Sequence, residues 1–181
     1  MSEERPKIDL RSLLGPLLIN NQGSVPVTSL EDCVVGLYFS AHWCPPCRQF
    51  TPKLKEVYKA VKATGKQFEV IFVSSDQSAT QFEEYFATMP WLALPFANRA
   101  EAAATAERFG IRGIPALVII DRNGKVINAN ARGAVMKDAP GGSQFPWAGQ
   151  QDPEGYGGPN WKLMLLLIVG YYLLRFYFKV I

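Results

Sequence analysis

Two cysteines, Cys44 and Cys47, stand in the run Trp43-Cys44-Pro45-Pro46-Cys47-Arg48. That spacing suits dithiol exchange: a thiolate on the first sulfur attacks a disulfide, and the second sulfur, one helical turn deeper, resolves the mixed disulfide. The run falls between an apolar stretch and an amphipathic one, which places Cys44 at a helix N-terminus. Unpaired amides and the helix dipole there favour a thiolate and lower its pKa from the free value of about 8.5. Proline fits the first turn, where it forfeits no hydrogen bond. Chemistry of this kind needs no metal and no separate cofactor. A zinc site is the competing use of C-x-x-C, with Cys33 and His42 nominally completing four ligands. Against it, Cys33 lies in an apolar run and reads as a small core residue, and there is no second C-x-x-C. His42 reads as a loop side chain beside the site.

The elements around this pair alternate between strand and helix. Residues 33–40, 68–74 and 116–120 are nearly continuous apolar runs, the pattern of central strands covered on both faces. Phe50, Leu54, Val57, Tyr58 and Val61 recur at helical spacing, with lysines elsewhere, Gly65 as a stop and Pro52 as an expected kink. Ser78-x-x-Gln81 is a capping box ahead of a stripe of Phe82, Tyr85, Phe86 and Met89, read as core. A third helix is expected over 101–109, ended by Gly110, and Asn123-Gly124 signals a short hairpin into a strand over 126–131. This order predicts an α/β fold with one central sheet between helices.

The chain has 181 residues, 48% hydrophobic and 19% charged, with formal net charge +3. That balance supports a buried core and excludes wholesale disorder. No run of five like charges occurs, so nucleic acid is not an expected partner. Three cysteines are too few for a secreted disulfide scaffold. Residues 138–160 hold six glycines and four prolines in 23 positions, so the domain is expected to end within them, with Phe145-Pro146-Trp147 able to pack back. The expected layout is a redox domain over 1–147, a linker over 148–160 and an apolar tail over 161–181.

Five separated blocks then carry a resemblance: residues 38–48 around the cysteines, Phe68-Glu69-Val70-Ile71-Phe72-Val73-Ser74, Met89-Pro90-Trp91-Leu92-Ala93-Leu94-Pro95-Phe96, Gly113-Ile114-Pro115-Ala116-Leu117, and Phe145-Pro146-Trp147. In that order they resemble the tryparedoxin and nucleoredoxin branch of the thioredoxin superfamily, over roughly residues 8–147. The resemblance implies a thioredoxin-like fold with a central mixed β-sheet flanked by helices. It also implies a cis peptide bond before Pro115, on a loop facing Cys44 whose backbone, with Ile114, pairs with substrate beside Trp43. Where thioredoxin itself usually has a buried acid, this chain has Tyr38, so a carboxylate relay is missing there. The Trp-Asp-Glu and Arg-x-Arg stretches that tryparedoxins associate with trypanothione read here Ser75-Asp76-Gln77 and Asn130-Ala131-Arg132. The implied partners are protein disulfides such as those of peroxiredoxin-type peroxidases, with a trypanothione-like dithiol or a reductase as electron donor. The alternative is a nucleoredoxin-like redox-sensing adaptor that binds partners with little turnover.

Residues 163–174 contain no charged or amide side chain. As a helix, residues 161–181 would extend roughly 32 Å, near the hydrocarbon thickness of a bilayer. A C-terminal transmembrane helix is therefore expected, with Arg175 and Lys179 snorkelling at the far end. The first twenty residues lack the pattern of a secretory signal, so the redox domain is expected to face the cytosol. The basic flanks favour the mitochondrial outer membrane, with the endoplasmic reticulum as the alternative.

Overall fold

All seven residues of the strand Val34–Ser40 (β3) are buried, and the rest of the fold is laid on its two faces and two edges. The computed structural model describes residues 7–149. In chain order the elements are α1 (Leu10–Leu14), β1 (Leu17–Asn20), β2 (Gly23–Pro26), a 3-10 turn (Val27–Leu30), β3, α2 (Pro45–Ala63), β4 (Phe68–Ser74), α3 (Ala79–Phe86), β5 (Leu92–Ala93), α4 (Arg99–Arg108), β6 (Ala116–Ile120), β7 (Val126–Asn128) and α5 (Arg132–Asp138). The sheet order is β2-β1-β5-β4-β3-β6-β7. Strand β3 runs parallel to β4, with Val34 opposite Phe68 and Ser40 opposite Ser74, and antiparallel to β6, with Tyr38 opposite Leu117. The mixed sheet expected from sequence is thus present.

Side chains alternate across β3 and divide the core into two layers. Val35, Leu37 and Phe39 join Leu14, Leu18, Ile71, Val73 and Val118 on one side. Val34 and Tyr38 join Leu54, Val57, Phe68 and Phe72 on the other. Gly36 belongs to the second set, where a Cβ would stand 3.3 Å from Leu117 Cδ1 and 3.5 Å from Phe68 Cε2. Its bare backbone admits the Phe68 ring.

The long helix follows its predicted apolar spacing, with Phe50, Leu54, Val57, Tyr58 and Val61 all buried. It stays continuous through Pro52, although the proline removes one backbone bond. At the start of α3 the Ser78 hydroxyl accepts from Gln81 N, while Gln81 Oε1 accepts from Gln77 N, one residue earlier than the ideal box. Helix α4 begins two residues before the expected start. The β6–β7 connection has five residues, 121–125, longer than the tightest hairpin, with Gly124 at φ +75°. Here glycine is required twice over, because a Cβ would also lie 2.6 Å from Ile8 O. Strand β7 stops at Asn128, short of the expected 131, because Ala131 N donates to Leu117 O and α5 begins.

Five helices and strands escaped the sequence reading: α1, β1 and β2 of the first hairpin, β5 and α5. Each is too short for a period to show, and the two residues of β5 are a strand only because β4 and β1 flank them.

Past α5 the chain, rich in Gly and Pro, folds back as a strap. Trp147 is fully buried, and Phe145 and Trp147 pack on Phe68 with ring centroids 4.9 and 5.7 Å away. Asn128 Nδ2 donates to Trp147 O and Gly149 N to Ile127 O, which covers the β7 edge. The Asp138 carboxylate fastens the strap, accepting from Ser143 N, Ser143 Oγ, Gln144 N and Trp147 Nε1 at 2.7–2.9 Å. Among the described residues no helix is long and apolar enough to cross a membrane. The tail expected to do so, 161–181, lies outside them.

Burial works to raise the Asp138 pKa, but its hydrogen bonds to Ser143, Trp147 and Gln144 outweigh this and hold it below the ordinary carboxylate value. A depressed folded pKa contributes stability above the unfolded value of about 3.9, and that contribution is lost as pH falls through the folded one. Asp138→Asn is expected to cost about 1–3 kcal/mol at neutral pH. In thermal unfolding from pH 7 down to 3, the gap to wild type should hold constant above about pH 5 and narrow below about pH 4.

Candidate active site

At the end of β3 the chain turns through Ala41, His42 and Trp43 into α2, and Cys44 is the N-cap of that helix. Its Sγ accepts from Cys47 N at 3.3 Å. The two cysteines are joined as a disulfide, with Cα atoms 5.2 Å apart. Cys47 is fully buried and Cys44 keeps 3% exposure, so the first sulfur is far more covered than a helix terminus alone suggests. Trp43, half exposed, forms the rim. From across the sheet, Ile114 packs on Ala41, Cys44 and Cys47. Its carbonyl oxygen lies 3.8 Å from Cys44 Sγ, and the Ile114–Pro115 bond is cis. The five residues singled out from sequence, Trp43, Cys44, Cys47, Ile114 and Pro115, therefore meet at one end of the sheet.

The loop after β4 holds this arrangement. Because β3 and β4 are parallel and in register, the residues after Ser40 and after Ser74 emerge side by side. Trp43 Nε1 donates to Ser75 O at 3.1 Å, and His42 N to Asp76 Oδ1 at 2.7 Å. The other Asp76 oxygen accepts from Ser74 Oγ, and Arg99 Nη1 donates to Ser74 O. His42 sits beside the site as expected, stacked on Tyr85 and with Nδ1 3.6 Å from Glu84 Oε2. Asp76 was missed as a positioning residue. A signal existed, since a polar residue just past a parallel neighbour of the cysteine strand must land next to the cysteine loop.

Beneath the disulfide four buried hydroxyls close a ring. Ser40 Oγ donates to Tyr38 OH at 2.9 Å, Tyr38 OH meets Thr51 Oγ1 at 2.8 Å, Thr51 meets Tyr85, and Tyr85 OH returns to Ser40 Oγ at 3.2 Å. Thr51 Oγ1 also stands 2.9 Å from the Cys47 carbonyl, to which it can donate in place of one contact of the ring. Burial pushes the Tyr38 phenol upward, reinforced by the nearby Tyr85 and opposed by hydrogen bonds from Ser40 and Thr51. The position that lacks a carboxylate is thus filled by neutral groups that satisfy one another. Sequence could not show this ring, because its members come from β3, α2 and α3.

Cys33 precedes β3 rather than lying within it, is half buried, and has its thiol pKa raised, chiefly by burial. It sits at the opposite end of a seven-residue strand from His42, roughly 20 Å away at about 3.3 Å per residue, so the four-ligand zinc arrangement is geometrically excluded. Among the described residues no group of three or more His, Cys, Asp or Glu could hold a metal.

Residues 32–126 match the family described as thioredoxin-like. The chain belongs to the thioredoxin-like family. It is 44% identical over 131 residues to tryparedoxin of Trypanosoma brucei brucei, covering 72% of this chain and 90% of that protein. To nucleoredoxin of Danio rerio it is 45% identical over 142 residues, covering 78% of this chain and 34% of that protein. The chain thus spans about a third of the length of the nucleoredoxins it matches. Among solved structures, tryparedoxin II complexed with glutathionylspermidine is similar with TM-score 0.69 and 41% identity, over 74% of this chain and 92% of that one.

The ring of this thioredoxin-like domain should behave as a unit. Thr51→Val and Tyr85→Phe are each expected to cost about 1–2 kcal/mol in urea unfolding, with a coupling above about 0.5 kcal/mol in the double variant. Strict additivity would show that the hydroxyls act separately.

Proposed function

We propose that the protein is a thiol-disulfide oxidoreductase that reduces protein disulfides through its Cys44–Cys47 pair. The observation that carries this reading is the disulfide at the α2 N-terminus, facing the Ile114 carbonyl and the cis Pro115. In the reduced protein the Cys44 thiolate attacks a substrate sulfur, and the first substrate thiolate leaves and takes a proton. Cys47 then loses its proton and attacks Cys44 Sγ, forming the internal bond and expelling the second substrate thiolate. One substrate disulfide becomes two thiols, and the protein dithiol becomes a disulfide. Sγ of Cys44 is stabilised as thiolate by the helix dipole and by Cys47 N, while Trp43 and the backbone at Ile114 flank the approaching substrate.

Likeness to tryparedoxin supports peroxidase-type protein disulfides as substrates and a low-molecular-weight dithiol, trypanothione-like, or a reductase as donor. The apolar stretch 163–174 supports a membrane tether through the tail over 161–181, with the redox domain on the cytosolic side of the mitochondrial outer membrane or, failing that, the endoplasmic reticulum.

Cys44→Ser is expected to abolish multiple-turnover insulin reduction, and Cys47→Ser to stall as a mixed disulfide visible on a non-reducing gel. Sustained turnover by the Cys44 variant overturns the assignment, and wild-type protein that traps partners without turning over favours the adaptor reading. For the tether, carbonate extraction should leave the full chain in the pellet and a chain truncated after Gly149 in the supernatant. Protease added to intact organelles should digest the redox domain, and protection would reverse the orientation.

A further inference from the structure

We infer that a ridge of basic side chains along α2 rests on an anionic phospholipid surface, that of the membrane which the tail over 161–181 is proposed to enter. It rests on that proposed tether and adds how the redox domain lies against the bilayer. Residues 48–69 hold six of the chain's 19 cationic side chains, Arg48, Lys53, Lys55, Lys59, Lys62 and Lys66, against two of its 16 carboxylates, Glu56 and Glu69. That segment is +4, so the other 159 positions together are −1, and the basic character of a chain of net charge +3 is concentrated in it. Arg48, Lys55, Lys59 and Lys62 follow one another at seven, four and three residues, which puts them on one face of α2, apart from the buried Phe50, Leu54, Val57 and Val61. Lys66 extends the ridge just past the helix end, and it is exposed, as are Arg48, Lys59 and Lys62.

Carboxylates offset only part of this charge. Glu56 is 3.2 Å from Lys53, which lies off the ridge, and Glu69, 14% exposed, is 3.5 Å from Lys62. On α3, Glu84 lies against His42, in the loop ahead of α2. Among the described residues, Lys62 is thus the one member of the ridge paired with a carboxylate. Lys55 Nζ donates to Thr88 O, a neutral partner that leaves its charge in place.

What selects a bilayer over another anion is where the chain leaves the domain. The strap packs on the C-terminal half of α2: a Cβ on Gly142 would stand 2.6 Å from Val61 Cγ2, and Lys66 Nζ lies 5.4 Å from the Phe145 ring. Gly149, the last described residue, follows Phe145 by four positions, no more than roughly 14 Å of chain. Residues 150–162, thirteen positions, then precede the uncharged stretch 163–174, and a coil of that length spans about 20 Å. A domain tethered at this range, and basic on the helix beside its tether, meets an anionic bilayer with that helix. Each lysine that reaches such a surface tightens the contact about fivefold, over a distance of about 10 Å set by salt. Cys44, capping the N-terminal end of the same helix, then faces along the membrane rather than into it.

The test places the full chain on vesicles of phosphatidylcholine alone and on vesicles with about one third phosphatidylserine, and flotation reports the tether. Bound protein is then treated briefly with a water-soluble amine-acetylating reagent, and labelling of each lysine is quantified by mass spectrometry. Lys59 and Lys66 are expected to react at least about threefold more slowly on the anionic vesicles, with Lys7 and Lys125 unchanged and the difference gone in about 0.5 M salt. Lys59→Glu combined with Lys66→Glu should remove the protection of Lys55, while insulin reduction and flotation with neutral vesicles stay as in the wild type. Equal labelling of the ridge on both kinds of vesicle overturns the inference and leaves the tether intact. So does protection by a soluble polyanion that anionic vesicles do not reproduce. Failure to float with neutral vesicles defeats the tether; salt-sensitive flotation with anionic vesicles alone then still upholds the ridge contact, and flotation with neither defeats both.

Discussion

Pairing of β3 with parallel β4 on one edge and antiparallel β6 on the other is the constraint from which the site follows. The parallel register brings residues after Ser40 and after Ser74 to the same end of the sheet, so the cysteine loop and the Asp76 loop are neighbours by topology. The antiparallel partner begins at that same end, which delivers Ile114 and Pro115 opposite Cys44. With β3 buried on both faces, a one-residue slip would send Tyr38 and Phe39 into the wrong layers, so the register is strongly held.

The support beneath the disulfide is polar yet uncharged. A buried carboxylate offers a proton acceptor at the cost of desolvating a charge, whereas four hydroxyls share their protons among one another and with the Cys47 carbonyl without burying a charge. Ring contacts complete this floor: Tyr38 meets Phe50, Phe72 and Trp91, and His42 stacks on Tyr85 at the surface. The Trp91 indole N–H, buried without an oxygen or nitrogen acceptor, has the Tyr38 and Tyr58 rings at 88° and 75° to its own. Charged side chains stay outside this floor: Arg48 and Arg112 are exposed, and Glu84 lies 3.6 Å from His42 Nδ1.

Much of this was legible in the chain itself. Continuous apolar runs identified β3, β4 and β6 because strands buried on both faces have no polar alternation to hide them. The capping pair Ser78 and Gln81, the apolar spacing from Phe50 to Val61 and the glycine at 124 declared their elements for local reasons of hydrogen bonding and backbone freedom. Phe145-Pro146-Trp147 stood out within a Gly- and Pro-rich stretch, and those aromatic rings are what bind the strap to Phe68.

The sequence by itself determined where the cysteine pair lies, because the helix start that Cys44 caps is written into the six residues around it. It determined equally that position 38 carries a tyrosine within an apolar strand. What only the tertiary structure decided is whatever joins residues far apart in the chain: the Asp76 clamp on His42, the four-hydroxyl ring, the Asp138 fastening and the packing of Ile114 against the disulfide. Each of those contacts depends on three-dimensional register, and a hydroxyl or carboxylate in a linear chain carries no mark of the partner that folding will bring within 3 Å of it.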